Sequence, residues 1–162
     1  MAGTEIERKW LVEHAPAAAL AAPSEPIRQG YLTIADDGGE TRIRRLGERF
    51  KLTVKSGGGL VRAEHEVELT EAQFNALWPA TEGARLEKRR HRIEGPGEVV
   101  IELDVYEGAL QGLLVAEVEF ADADAAGAFV APDWFGREVT EDRAYKNQRL
   151  ALGPPLPAPT SA

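Results

Sequence analysis

Apolar and polar residues alternate along most of this chain, in the two-residue period of extended strands. Successive side chains on a strand point to opposite faces, so every second residue shares one. Leu52 and Val54 alternate with Lys51, Thr53 and Lys55; Ile101, Leu103 and Val105 alternate with Glu102 and Asp104; Ala116, Val118 and Phe120 alternate with Glu117 and Glu119. The pattern predicts eight strands, at about residues 4–12, 27–34, 40–46, 49–55, 62–69, 86–94, 98–106 and 114–120. Turn signals separate them: Asp36-Asp37-Gly38-Gly39, Gly47-Glu48, a glycine loop over 56–59, and Gly95-Pro96-Gly97. Helical signals are few. Thr70-Glu71-Ala72-Gln73 fits a capping box, followed by the stripe Phe74, Leu77, Trp78 and stopped by Pro79. Short helices are expected over 122–130 and 143–152, with a turn over 132–136 anchored by Trp134 and Phe135. Residues 14–26 read as a connection rich in Pro and Ala. Residues 1–152 read as one domain, and 153–162, with Pro154, Pro155, Pro157 and Pro159, as a disordered tail.

The polar face is unusual. It carries Glu5, Glu7 and Lys9; Gln29, Tyr31 and Thr33; Arg42 and Arg44; Lys51, Thr53 and Lys55; Glu64, Glu66 and Glu68; Lys88, Arg90 and Arg92; Glu102 and Asp104; Glu117 and Glu119. Like charges recur two residues apart, about 7 Å along a strand. Such pairs repel, more so away from water. They become tolerable if rows of opposite sign face each other, or if ligands complete them. A barrel of about eight strands has an interior just wide enough for side chains or one small ligand. The expected fold is therefore α+β, mainly β: a closed eight-stranded antiparallel β-barrel, or tunnel, with a charged interior and a few covering helices. Arg and Lys rows suit a polyanion, and carboxylate rows suit a divalent cation that bridges to it. The alternative is a half-solvated sheet whose rows are internal salt bridges.

Composition narrows the chemistry. The chain has 162 residues, no cysteine and three histidines (His14, His65, His91), which leaves no disulfide, no thiolate site and no imidazole-rich zinc site. A metal would be held by oxygen, as Mg²⁺ or Mn²⁺ is. The net charge of −8 argues against a nucleic-acid partner bound through a broad basic surface. No apolar run approaches the roughly 20 residues of a membrane span. A cytoplasmic protein is expected, with room for a homodimer.

The motifs then resemble a known family. Glu5-Ile6-Glu7-Arg8-Lys9 is similar to the ExExK signature of the CYTH superfamily, the triphosphate tunnel metalloenzymes. Arg42-Ile43-Arg44, Leu52-Thr53-Val54-Lys55, Glu64-His65-Glu66, Lys88-Arg89-Arg90, Glu102-Leu103-Asp104, Glu117-Val118-Glu119 and Val139-Thr140-Glu141-Asp142 follow in the family's order. The segments 28–33, 77–83 and 134–136 look most like the short bacterial inorganic triphosphatases. His91 departs from the tyrosine that relatives often carry, and alternation points it outward.

The resemblance implies metal-dependent hydrolysis of inorganic tripolyphosphate to pyrophosphate and phosphate. It implies substrate binding by Arg42, Arg44, Lys55, Lys88 and Arg90, and metal binding by Glu5, Glu7, Glu117 and Glu119. Glu64, Glu66, Glu102 and Asp104 are left for a second metal or for orienting the attacking water. Lys9 and Tyr31 are implied as an acid–base dyad, the phenol pKa lowered by a neighbouring Lys9. Trp10, Trp78 and Trp134 read as packing anchors. Two other readings stay open: a different triphosphate reaction (on thiamine triphosphate or nucleoside triphosphates, or adenylate cyclisation), and a polyphosphate-binding module without turnover.

Overall fold

A computed structural model of the chain describes residues 6–57 and 63–155. Its strands are β1 (Ile6–Leu11), β2 (Ser24–Ile34), β3 (Glu40–Leu46), β4 (Arg49–Lys55), β5 (Glu64–Leu69), β6 (Arg85–Glu94), β7 (Val100–Tyr106) and β8 (Leu114–Phe120). Four short helices accompany them: α1 (Ala17–Leu20), α2 (Glu71–Leu77), α3 (Ala123–Ala128) and α4 (Asn147–Leu150). All eight strands form one antiparallel sheet in the order β1-β8-β7-β6-β2-β3-β4-β5. The fold is α+β and mainly β, as the alternation predicts. No helix among the described residues is long and apolar enough to cross a membrane.

Closure is where expectation and structure part. β1 and β5 are the two edges of the sheet, and no strand pairing joins them among the described residues. The free edge of β1 is used otherwise. Lys9 carbonyl accepts from Val139 N–H (2.8 Å), Leu11 N–H donates to Arg137 carbonyl (2.9 Å), and Gly136 N–H donates to Leu11 carbonyl (2.7 Å). A strap over residues 136–140 therefore occupies the hydrogen-bonding groups that a β1–β5 pair would need. Its approach requires glycine: a Cβ on Gly136 would lie 2.8 Å from Leu11 carbonyl oxygen. The sheet is curled nonetheless. Arg90 on β6 reaches across β7 to Glu117 on β8 (3.3 Å), and Arg44 on β3 reaches across β4 to Glu66 on β5 (3.6 Å). Glu7 on β1 also acts electrostatically on Lys55 of β4, six places away in the strand order, where a flat sheet would hold the two strands roughly 29 Å apart.

The apolar faces point outward and are covered unevenly. Trp10, Ile101, Leu103, Ala116, Val118 and Phe120 pack under α1, α3 and Phe135. Trp10 meets the rings of Phe135 at 4.9 Å and Phe129 at 5.5 Å. On the other side, Ile43 and Phe50 pack against Phe74 of α2. The capping box forms as read: Thr70 Oγ1 accepts from Gln73 N–H (3.1 Å), and Gln73 Oε1 accepts from Thr70 N–H (2.9 Å). Gly30 on β2 is needed for this packing, since a Cβ there would lie 2.6 Å from Thr81. The outer face of β4 and β5 is less covered, with Val67 56% exposed. His91 faces outward but is buried, its Nδ1 3.1 Å from Ala22 carbonyl oxygen beside α1.

Candidate active site

Strand alternation delivers one ionic row after another to the concave face, and the structure sorts them into two groups. The first lies on β6, β7 and β8. Asp104 is 1% exposed, and its carboxylate takes Lys88 Nζ at 2.7 Å and Arg90 at 2.8 and 2.9 Å. Arg90 also pairs with Glu102 and Glu117, and Lys9 Nζ lies 3.3 Å from Glu117. Burial works against the charge of Asp104, but Lys88 and Arg90 outweigh it and hold its pKa low. The same balance holds Glu117 well below the usual carboxylate range, through Lys9, Lys88 and Arg90. Burial and then Arg90 pull the Lys88 ammonium down to about 8, against the pull of Asp104.

The second group, on β3, β4 and β5, is poorly paired. Arg42 approaches Glu40 only to 3.7 Å, and Arg44 approaches Glu66 only to 3.6 Å. Both distances exceed hydrogen-bond range. Nε of Arg42 and Nε of Arg44 are buried with no hydrogen-bond partner among the described residues. Burial, Arg42 and Arg90 lower the Arg44 pKa to about 10. Burial and Arg42 lower Lys55 as well. Glu66 is shared, taking Lys51 Nζ at 2.8 Å and Thr53 Oγ1 at 3.1 Å. Glu64 stands opposite Lys55 in the β4–β5 register and is exposed.

The proposed metal ligands are partly assembled. Glu7 and Glu119 face each other across β1–β8, two residues along from Lys9 and Glu117. Glu7 and Glu117 lie close enough to act directly on each other's charge. Burial and the charge of Glu117 push Glu7 up to about 8. Glu7 keeps much of its surface open to solvent, so the neighbouring carboxylates carry more of this rise than burial does. No group of three or more acidic or histidine side chains is gathered for a metal among the described residues. Glu5 lies outside the described residues.

Tyr31 corrects one expectation. Its phenol is 2% exposed, and burial pushes it up to about 12 rather than down. The cation acting on it most is Arg42, not Lys9, and Gln29 Nε2 donates to its oxygen at 2.6 Å. The physical reason is its position along the strand. At this end the concave face turns apolar: Tyr31 packs with Leu86, Tyr106 and Val115, against Leu110, Leu150 and Ala151. Lys9 instead donates to Tyr145 carbonyl oxygen at 3.2 Å.

Three side chains here were missed by the sequence reading. Tyr106 extends the row of Glu102 and Asp104 by one period and hydroxyl-bonds Asn147 Oδ1 at 2.7 Å. Glu40 extends the row of Arg42 and Arg44 and is buried. Period-two spacing could have found both. Asn147 enters from a four-residue helix, and no pattern announces it.

Comparison with known proteins agrees with this geometry. The chain is 51% identical over 152 residues to an inorganic triphosphatase of Nitrosomonas europaea, covering 94% of this chain and 99% of that one. It is 35% identical over 154 residues to an inorganic triphosphatase of Acetivibrio thermocellus, covering 94% and 96%. A crystal structure of an inorganic triphosphatase superposes with a TM-score of 0.74 at 47% identity, covering 93% of this chain and 96% of that one. The CYTH domain model matches residues 3–149. With its ionic rows on one curled face and that match over nearly the whole sheet, the chain belongs to the CYTH domain family.

Proposed function

We propose that this protein hydrolyses inorganic tripolyphosphate to pyrophosphate and phosphate on its concave face. The observation that carries the reading is the pair of buried guanidinium N–H groups, on Arg42 and Arg44, that no described residue accepts. A buried donor without an acceptor costs about 1–3 kcal/mol, more when charged. Phosphate oxygens supply what is missing, as charge and as forked hydrogen-bond acceptors. Lys55, Lys88 and Arg90 flank these groups and would extend the contact along a short polyanion. Relatives that carry the name inorganic triphosphatase, one of them sharing half of its residues with this chain, support the same substrate.

A divalent cation fits the acidic end. Glu7 and Glu117, two neighbouring carboxyl groups whose charges oppose each other, form an oxygen-only donor pair that Mg²⁺ or Mn²⁺ would suit. Glu7 and Glu117 would hold it, with Glu5 and Glu119 completing the set, and when bound it would neutralise phosphate charge as the bond breaks. The chain's own residues do the rest. Arg42 and Arg44 orient the phosphates; Asp104 fixes Lys88 and Arg90. Of the second carboxylate set, Glu102 and Asp104 act as salt-bridge partners, and Glu64 and Glu66 remain for water or a second ion. Lys9 supplies an ammonium near the reacting end. Tyr31, with its proton held at neutral pH, serves as a donor rather than a base. β1 and β5 bound the channel without pairing.

The test is phosphate release from tripolyphosphate, ATP and thiamine triphosphate, with Mg²⁺, with Mn²⁺ and with EDTA. The reading expects tripolyphosphate to be the best substrate and EDTA to stop release. Faster release from ATP or thiamine triphosphate would reassign the substrate. Binding of all three without release would make the protein a binding module.

A further inference from the structure

Two lysines of the ionic face, Lys9 and Lys88, share an arrangement. Lys9 Nζ stands 3.3 Å from a Glu117 oxygen and donates to Tyr145 carbonyl oxygen at 3.2 Å. Lys88 Nζ donates to Asp104 at 2.7 Å and to Asn147 Oδ1 at 3.4 Å. Each ammonium thus meets one carboxylate and one neutral oxygen, and both neutral oxygens come from the stretch 145–147. Asn147 Oδ1 also accepts from Tyr106 hydroxyl at 2.7 Å. An ammonium has no acceptor, so the amide presents its oxygen and not its NH₂ to Lys88.

The segment that delivers these oxygens is chosen in charge as well as shape. Residues 143–152 contain Arg143, Lys146 and Arg149 and no carboxylate, within a chain of net charge −8. Leu150 and Ala151 seat it against Tyr31, Leu86, Tyr106 and Val115. An aspartate in place of Asn147 would have nearly the same shape and accept the same two hydrogen bonds. It would also place a second negative charge on Lys88, beside Asp104, where effective screening is weak.

We propose that Asn147 is a positioning residue that holds the Lys88 ammonium by a neutral oxygen and so leaves its charge for a bound polyanion. This rests on the polyanion-binding reading of the concave face. It makes the polarity of α4 a determinant of substrate affinity, though Asn147 acts through Lys88. A plain hydrogen-bond latch predicts the opposite order of variants: Asn147→Asp keeps the acceptor and would be tolerated, while Asn147→Ala loses it.

The experiment compares wild type, Asn147→Asp and Asn147→Ala. It measures tripolyphosphate affinity in EDTA, KM and kcat with Mg²⁺, and thermal unfolding of each protein. Asn147→Asp is expected to weaken affinity at least about tenfold, through one added buried charge, and to raise KM more than it lowers kcat. Asn147→Ala is expected to stay within about fivefold of wild type, the worth of one ordinary hydrogen bond. Wild-type affinity in a folded Asn147→Asp overturns the inference. So does a loss beyond tenfold in a folded Asn147→Ala, which decides the matter even if the aspartate variant does not fold. If wild type neither binds nor hydrolyses tripolyphosphate, the reading of the whole face fails and this inference with it.

Discussion

The concave face has two halves with the same residue types and opposite states. On β6–β8, Lys88, Arg90, Asp104 and Glu117 satisfy one another at 2.7–3.3 Å. On β3, Arg42 and Arg44 face carboxylates only at 3.7 and 3.6 Å and keep buried Nε–H groups without partners among the described residues. The paired half is preformed: Asp104 and Glu117 hold Lys88 and Arg90 in place before any anion arrives. The underpaired half is the one the proposed polyanion would complete. A row of arginines does not by itself mark a binding site; the satisfaction of its donors does.

That contrast can be broken from either side. Removing a carboxylate from the paired half has the largest expected effect on stability. Asp104→Asn strands Lys88 and Arg90, and unfolding by urea is expected to show a loss of about 3–5 kcal/mol, the usual cost of breaking a buried pair. Arg44→Gln should do the reverse. It removes a depressed, underpaired cation, so stability should change by less than about 1 kcal/mol, while kcat/KM for tripolyphosphate falls about 10²-fold or more, the range for losing one preorganised donor. Equal stability losses in the two variants would erase the distinction.

Gly136→Ala probes the strap that takes the edge of β1. With a backbone oxygen 2.8 Å from the new Cβ, the strap must shift, and a loss of about 1–3 kcal/mol is expected by chemical denaturation, typical of overpacking. An unchanged midpoint would mean the strap is loosely held.

The smallest effect is a shift in pH dependence. Burial, with Arg90, holds the Lys88 ammonium down to about 8, below the 10.5 of an ordinary lysine. Its depressed pKa costs stability fully below pH 8, and that cost is relieved as pH rises from about 8 to 10.5. Polyanion binding runs the other way: it needs the ammonium and should weaken above pH 8. Lys88→Arg should carry the binding plateau to higher pH. Identical profiles for the two proteins would separate Lys88 from the anion.

Much of this was legible in the sequence, for reasons particular residues show. On β7 and β8 the alternation of Ile101, Leu103, Ala116 and Val118 with Glu102, Asp104, Glu117 and Glu119 fixes which face is ionic, because a one-residue slip would bury every charge on the wrong side. Alternation says nothing about height along a strand. That is why Tyr31 was read beside Lys9 on an ionic face, although the face is already apolar at Leu86 and Val115. Nor does it reveal which edges pair: residues 136–140 carry no strand period, yet they take the edge of β1. The four residues of α4 are too short for a helical period to place Asn147.

The central claim is that the β3 guanidiniums bind a polyanion. Calorimetric titration of tripolyphosphate into the metal-free protein in EDTA tests it most directly, with Arg44→Gln beside wild type. The account predicts saturable, salt-sensitive binding to wild type and a loss of at least about tenfold in the variant. Equal affinity for both proteins, or no binding to wild type, would contradict it.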